Sequence, residues 1–290
     1  MTPPRRSTAA APPDRPAGAD FGPAWSAGRR RGSDAELRAW LDLAITCADL
    51  ADGIAMGGFR RDVAVSTKPD RTLVTEVDRQ IERLVRERIG DRFPDHGVLG
   101  EEEGEAGAGA SVRWYVDPID GTHNFIRGVP LFGTLLAVER DGELQLGLMS
   151  APALGERWVA WRGGGAWNGD RRLGVSAVGE LRDAQLLYGS RQENVSSGLL
   201  PGFDATIALA WRDRGFGDFW GYALVAEGAA EAMIETGMHA WDLAAPLVIV
   251  EEAGGRLTSV DGVRSPDVAS CVASNGLLHE ELLRRLRAEE

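Results

Sequence analysis

Asp117 and Asp120 stand three residues apart in the run Trp114-Tyr115-Val116-Asp117-Pro118-Ile119-Asp120-Gly121-Thr122-His123-Asn124. Two carboxylates so close repel each other unless a cation holds them, and hard cations such as Mg²⁺ prefer oxygen ligands. A helix opening after Gly121 would aim its free backbone N–H groups at the same spot, where they could receive a phosphate. Metal and phosphate binding at one turn is the chemistry of phosphoryl transfer. The same residues also suit an ordinary surface turn, because Asp, Pro and Gly are the residues turns prefer.

The flanking elements must position these groups. Trp114, Tyr115 and Val116 read as the end of a buried strand, and Pro118, which has no N–H, should stop it near Asp117. A helix is expected from Ser33 or Asp34, with Leu37, Trp40, Leu41, Ala44, Ile45 and Ala48 on one face. A short strand over 63–67 leads to Lys68. The next helix opens at Thr75 with Asp78 three residues on, a variant of the capping box, and Asp78 reads first as part of that cap. Gly97-Val98-Leu99-Gly100 reads as a strand delivering Glu101-Glu102-Glu103, and residues 104–110 as a flexible loop.

Residues 131–173 have the pattern of an antiparallel meander, with Asp141-Gly142 as a hairpin turn. Further strands are expected at 184–190, 232–235, 256–259 and 270–273. Helices are expected over 203–213, 222–228 and 277–288. Another should run from Asp242, as its N-cap, to Ala253, with Pro246 in or near its first turn. Strands and helices in mixed runs, without regular βαβ alternation, indicate an α+β layered fold.

Composition narrows the function. The 290 residues carry 32 basic and 44 acidic side chains, a net charge of −12. No basic surplus exists to neutralise nucleic-acid phosphates, so nucleic acid is not expected as the main partner. Two distant cysteines, Cys47 and Cys271, suit a reducing, cytoplasmic compartment, and no stretch approaches the roughly 18 apolar residues of a membrane span. Residues 1–32, rich in Pro, Ala, Gly and Arg, read as a disordered extension ahead of a single catalytic domain over 33–290. The basic residues are arginines except for Lys68, alone in Thr67-Lys68-Pro69-Asp70.

Four segments in order carry a resemblance. Leu99-Gly100-Glu101-Glu102, Asp117-Pro118-Ile119-Asp120-Gly121-Thr122-x-Asn124-Phe125, Trp241-Asp242-x-Ala244-Ala245 and Glu252-Ala253-Gly254-Gly255 are similar to the inositol monophosphatase superfamily. The resemblance implies a lithium-sensitive, Mg²⁺-dependent phosphomonoesterase with an αβαβα sandwich of the inositol monophosphatase/fructose-1,6-bisphosphatase type, forming a homodimer. It implies that Glu101, Asp117, Asp120, Asp242 and the Ile119 carbonyl ligate about two or three Mg²⁺ ions. Glu101 and Thr122 would orient the attacking water, and Gly121 and Thr122 would contact the phosphate. Asp78 and Glu102 match acidic positions near an additional metal, and Lys68 matches a lysine lining the site.

The substrate is read from smaller features. Thr67-Lys68-Pro69-Asp70, the Asn124–Pro130 run, Ser150-Ala151-Pro152-Ala153-Leu154, Gly217-Asp218-Phe219 and Asn275-Gly276-Leu277-Leu278-His279 resemble the histidinol-phosphate phosphatase branch of actinobacteria, which serves histidine synthesis. Glu235 and His239 ahead of Trp241-Asp242 look more like inositol-cleaving members. Glu235 and Asp218 are therefore expected at the substrate's organic half, with histidinol phosphate first and inositol 1-phosphate as the alternative. A different class of reading also stands, a regulatory binding protein, since one bacterial branch associates with RNA polymerase.

Overall fold

The structure is a computed structural model that describes residues 35–68 and 72–288. The expected 1–32 extension and the Ser33 or Asp34 cap lie outside these residues, as do Pro69 and Asp70. The chain begins with helix α1 (Ala35–Gly58), strands β1 (Val65–Thr67) and β2 (Leu73–Thr75), and helix α2 (Glu76–Arg92). Strands β3 (Gly97–Gly100), β4 (Gly104–Ala106) and β5 (Val112–Asp120) follow, then the short helix α3 (Thr122–Arg127). The meander comprises β6 (Gly133–Arg140), β7 (Glu143–Ala151), β8 (Glu156–Trp161), β9 (Gly165–Asn168) and β10 (Arg171–Arg172). Then come β11 (Gln185–Tyr188), α4 (Arg191–Ser196), α5 (Phe203–Ile207), β12 (Arg212–Arg214), α6 (Asp218–Ala226) and β13 (Ala232–Thr236). Helix α7 (Ala240–Glu252), strands β14 (Arg256–Thr258) and β15 (Ser270–Ser274), and helix α8 (His279–Leu286) close the chain.

The layers follow from side-chain alternation along the strands, since neighbouring residues face opposite sides of a sheet. The larger sheet has the order β10-β9-β8-β7-β6-β5-β3-β4. On one face Trp114, Val116, Leu136 and Val138 join Trp40, Leu41, Ile81 and Val85 of α1 and α2. On the other, Tyr115, Leu135 and Ala137 join Tyr222 of α6 and Leu247 and Val248 of α7. That central helical layer also receives Leu187, Met233, Cys271 and Ala273 from the smaller sheet, ordered β12-β11-β13-β15-β14. The smaller sheet's far face sends Leu186, Ile234 and Val272 against Leu282 and Leu286 of α8. The result is the expected αβαβα sandwich.

Several local expectations are corrected. Residues 104–110 are not all loop, because β4 pairs antiparallel with β3 over Gly104–Ala106. The helix expected over 203–213 ends at Ile207, and Arg212–Arg214 instead adds an edge strand parallel to β11. The 222–228 helix begins earlier, at Asp218. Strand β2 was not anticipated; it pairs antiparallel with β1, and just beyond the pair the Lys68 N–H donates to the Thr72 carbonyl at 2.9 Å.

Candidate active site

β5 carries the first two carboxylates. In a regular strand, residues three apart face opposite ways. Pro118 does not end the strand but sits within a register shift between Asp117, opposite Leu135, and Asp120, opposite Gly133. Its carbonyl accepts from Thr134 Oγ1 at 2.9 Å. This irregularity lets Asp117 and Asp120 converge, so the segment is not the ordinary surface turn that its residue types also allowed: Asp117 is 1% exposed. Gly121 then turns the chain at φ +80° into α3, and a Cβ there would stand 2.9 Å from the Leu131 carbonyl oxygen.

Asp242 joins them from the far sequence. Helix α7 starts at Ala240, so Asp242 is its third residue and not its N-cap as expected. Its carboxylate accepts from the His239 N–H at 2.7 Å, which anchors it at the helix entrance. Pro246 accordingly lies beyond the first turn, and having no N–H it leaves the Asp242 carbonyl without its usual helical donor. Ligand oxygens of Asp117, Asp120 and Asp242 all lie within 4.8 Å of one another.

Asp78 serves as the expected cap and also reaches Thr122. Its Oδ2 accepts from the Thr75 N–H at 2.8 Å and from the Thr75 hydroxyl, completing the capping box. Its Oδ1 lies 3.2 Å from Thr122 Oγ1, which is also 2.9 Å from the Ile119 carbonyl oxygen. Lys68 Nζ donates to Glu101 Oε1 at 2.8 Å and to Glu102 Oε1 at 2.7 Å. Glu101 thus borders the three-aspartate cluster and presses electrostatically on Asp117.

The protonation pattern records this crowding. Burial, then repulsion from Glu101, Asp120, Asp242 and Asp78, holds Asp117 well above the usual carboxylate range. Burial and the charges of Asp218 and Asp242 raise Asp120 likewise, against a hydrogen bond from the Phe219 N–H. Asp242 is pushed up to about 7, by burial and then Glu101, and Glu102 to about 7, by burial against the pull of Lys68. For Lys68 burial works downward, but its hydrogen bonds to Glu101 and Glu102 prevail and raise it. Such opposed carboxylates are what a bound cation relieves.

The donor set fits a hard divalent metal. Asp117 Oδ1 is buried with no hydrogen-bond partner, an orphaned acceptor on a residue of the cluster. All the candidate ligands are oxygens, as Mg²⁺ requires.

An outer group lines the same site. Asn124 Nδ2 donates to Asp218 Oδ2 at 2.9 Å, and Asp218 sits at a left-handed φ of 53° where α6 begins. Glu235, buried on β13, accepts from Tyr222 OH at 2.7 Å. Burial pushes its carboxyl up to about 8, with Asp218 and Asp242 adding to the rise. His123, which carried no expected role, is exposed on α3. Three contributors were not foreseen: Tyr222, the Phe219 N–H and Glu82 of α2. Glu82 had a visible signal, a charged side chain four residues after Asp78, beside the apolar stripe of Val77, Ile81 and Val85. The other two had none, since their partners are distant in sequence.

The profile of the inositol monophosphatase family matches residues 36–290. The chain belongs to this family and is a phosphoric monoester hydrolase with a metal-dependent site. It is 48% identical over 254 residues to a histidinol-phosphatase of Mycobacterium tuberculosis, covering 86% of this chain and 98% of that protein. A Streptomyces coelicolor histidinol-phosphatase is 45% identical over 84% of this chain and 95% of its own length. An inositol-1-monophosphatase of Mesorhizobium japonicum is 33% identical, over 79% of this chain and 88% of that protein. Among solved structures, a Thermotoga maritima inositol monophosphatase superposes with a TM-score of 0.79 at 30% identity, covering 86% of this chain and 97% of that one.

Proposed function

We propose that this protein is a Mg²⁺-dependent histidinol-phosphatase, releasing phosphate from L-histidinol phosphate. The observation that carries the substrate is the 48% identity to the Mycobacterium tuberculosis enzyme over nearly that protein's whole length. The site's chemistry agrees: histidinol phosphate carries an ammonium on the carbon next to its phosphate-bearing methylene, with an imidazole at the far end. Asp218 and Glu235 offer carboxylates to that ammonium, and a cation there would favour their charged forms.

Asp117, Asp120, Asp242, Glu101 and the Ile119 carbonyl would hold the metal, with Asp78 and Glu102 beside it. When bound, Mg²⁺ lowers the pKa of water, neutralises phosphoryl oxygens and stabilises the departing alkoxide. Glu101 and Thr122 orient the attacking water, and Asp78 orients the Thr122 hydroxyl by accepting a hydrogen bond from it. Backbone amides of Gly121 and Thr122 receive the phosphate oxygens. Lys68 sets the direction of Glu101 and Glu102. The complete carboxylate set favours catalysis over a purely regulatory binding role. Lithium inhibition, a homodimer and a cytoplasmic location belong to the same reading; among the described residues no helix is long and apolar enough to cross a membrane.

The test is Mg²⁺-dependent phosphate release from L-histidinol phosphate and inositol 1-phosphate in parallel, with and without lithium. The expected preference for histidinol phosphate is about 100-fold in kcat/KM, roughly 2.7 kcal/mol of differential transition-state binding. Equal or reversed preference would reject the substrate assignment and favour the inositol reading.

A further inference from the structure

Glu82 is wholly buried on α2, one turn beyond Asp78. It faces the underside of the turn that carries Glu101, Glu102 and Glu103. Its Oε2 accepts from the Glu102 N–H at 2.7 Å, and its Oε1 accepts from the Glu103 N–H at 3.0 Å. Arg86, one turn further along α2, donates from Nε to the same Oε1 at 2.8 Å and from its other end to the Gly104 carbonyl. A Cβ on Gly100 would stand 2.2 Å from Glu82 Oε1, so only glycine lets the strand pass this close. The pair therefore holds the turn's two amides and its closing carbonyl from below, while Lys68 holds the Glu101 and Glu102 carboxylates from above.

A buried ion pair of this kind is a poor source of net stability, because desolvation offsets most of its attraction. Its geometry does something an apolar pair could not: it fixes the backbone that aims Glu101 at Asp117. We propose that Glu82 is a positioning residue for the catalytic centre, acting through the Glu101–Glu103 backbone, with Arg86 as its support. Asp78 and Glu82, on one face of one helix, then hold the two halves of the site in register, Thr122 through the first and Glu101 through the second. This inference rests on the reading of Glu101 as a metal and water carboxylate.

The test compares wild type, Glu82→Gln and Gly100→Ala as full-length proteins. Glutamine keeps the shape of glutamate, but three donors converge on Glu82, and the amide would turn its own NH₂ toward one of them. Gly100→Ala displaces the Glu82 carboxylate without changing any charge. Four quantities are read: Mg²⁺ affinity of metal-stripped protein by titration calorimetry, kcat and KM at saturating Mg²⁺, and Tm without metal. Both variants are expected to bind Mg²⁺ about 10- to 100-fold more weakly and to lose kcat, as outer-shell substitutions do, with little change in substrate KM. A lowered Tm with wild-type Mg²⁺ affinity and kcat would make Glu82 purely structural and overturn the proposal. Should Glu82→Gln not fold, Gly100→Ala decides on the same criterion. Glu101→Gln, run alongside, separates the two levels: full turnover in that variant rejects the role of Glu101 and the inference with it. Loss of turnover there with Glu82→Gln and Gly100→Ala both unaffected rejects the inference alone.

Discussion

Asp117 is buried, unpartnered at Oδ1, and surrounded by the carboxylates of Glu101, Asp120, Asp242 and Asp78. Without a cation, the charge at this position opposes folding; with one, it is the metal's anchor. Asp117→Asn should therefore move two quantities in opposite directions. The metal-stripped variant should melt at a higher temperature than metal-stripped wild type, because a repelled buried charge is gone. Its kcat/KM should fall about 1,000-fold or more, corresponding to several kcal/mol of lost transition-state stabilisation. Calorimetry in EDTA and phosphate-release kinetics check the two halves. Near-wild-type turnover would reject the site assignment.

Elements are held together by buried polar contacts as well as by the apolar layers. Arg157 of β8 donates to Asp49 and Asp52 of α1, both at 2.7 Å, and to Ser150 Oγ of β7 at 2.9 Å. Burial already raises the Asp52 carboxyl, with Arg157 the main opposing influence. Arg157→Met would leave the half-buried Asp52 carboxylate without its cation, with the Ser150 hydroxyl as its remaining donor, at an expected cost of about 1–3 kcal/mol in denaturant unfolding. Adding Asp52→Asn should recover much of that loss. Helix α8 is docked differently, through His279, which lies 2.9 Å from Thr258 Oγ1 and 2.8 Å from Ser274 Oγ. Burial pushes this imidazole down from 6.5 to about 4, with Arg256 adding to the fall. Between those values the unfolded chain binds the proton and the folded one does not. The contribution is thus fully present above pH 6.5 and drains away as pH falls to about 4. Its full size is about 3 kcal/mol. Unfolding free energies of wild type and His279→Gln, compared from pH 7 to 4, should show a shallower acid decline in the variant. Parallel declines would reject this role.

Across the whole molecule, the site draws on α2, the β3–β4 turn, β5, α3, α6, β13 and α7, and so on both sheets. The family match begins at residue 36, and among the described residues the apolar core begins at Leu37. Removal of residues 1–32 should therefore leave kcat/KM and Tm within experimental scatter of the full chain. A fall of several degrees in Tm, or a large loss of activity, would show that the extension contributes to the fold or the site.

Much of this was legible in local sequence. The Thr75–Asp78 capping box, the Asp141-Gly142 hairpin, the alternation that builds the meander and the acidic segments depend on neighbours a few residues apart, and local sterics and burial settle them. The convergence of the site was not legible in that way. The sequence did suggest that Asp117 and Asp120 meet, on a turn after the strand, but not the means: β5 continues through Pro118, and its register shift against β6 brings the two together. Asp242 reaches them because the packing of α7 between two sheets sets the end of that helix beside β5. Glu82 and Tyr222 acquire their roles from partners that only the layers bring near. Residue types and their local periods determined the elements and the class of chemistry. The direction of each carboxylate was decided by tertiary packing, because convergence is a property of surfaces meeting and not of positions along a chain.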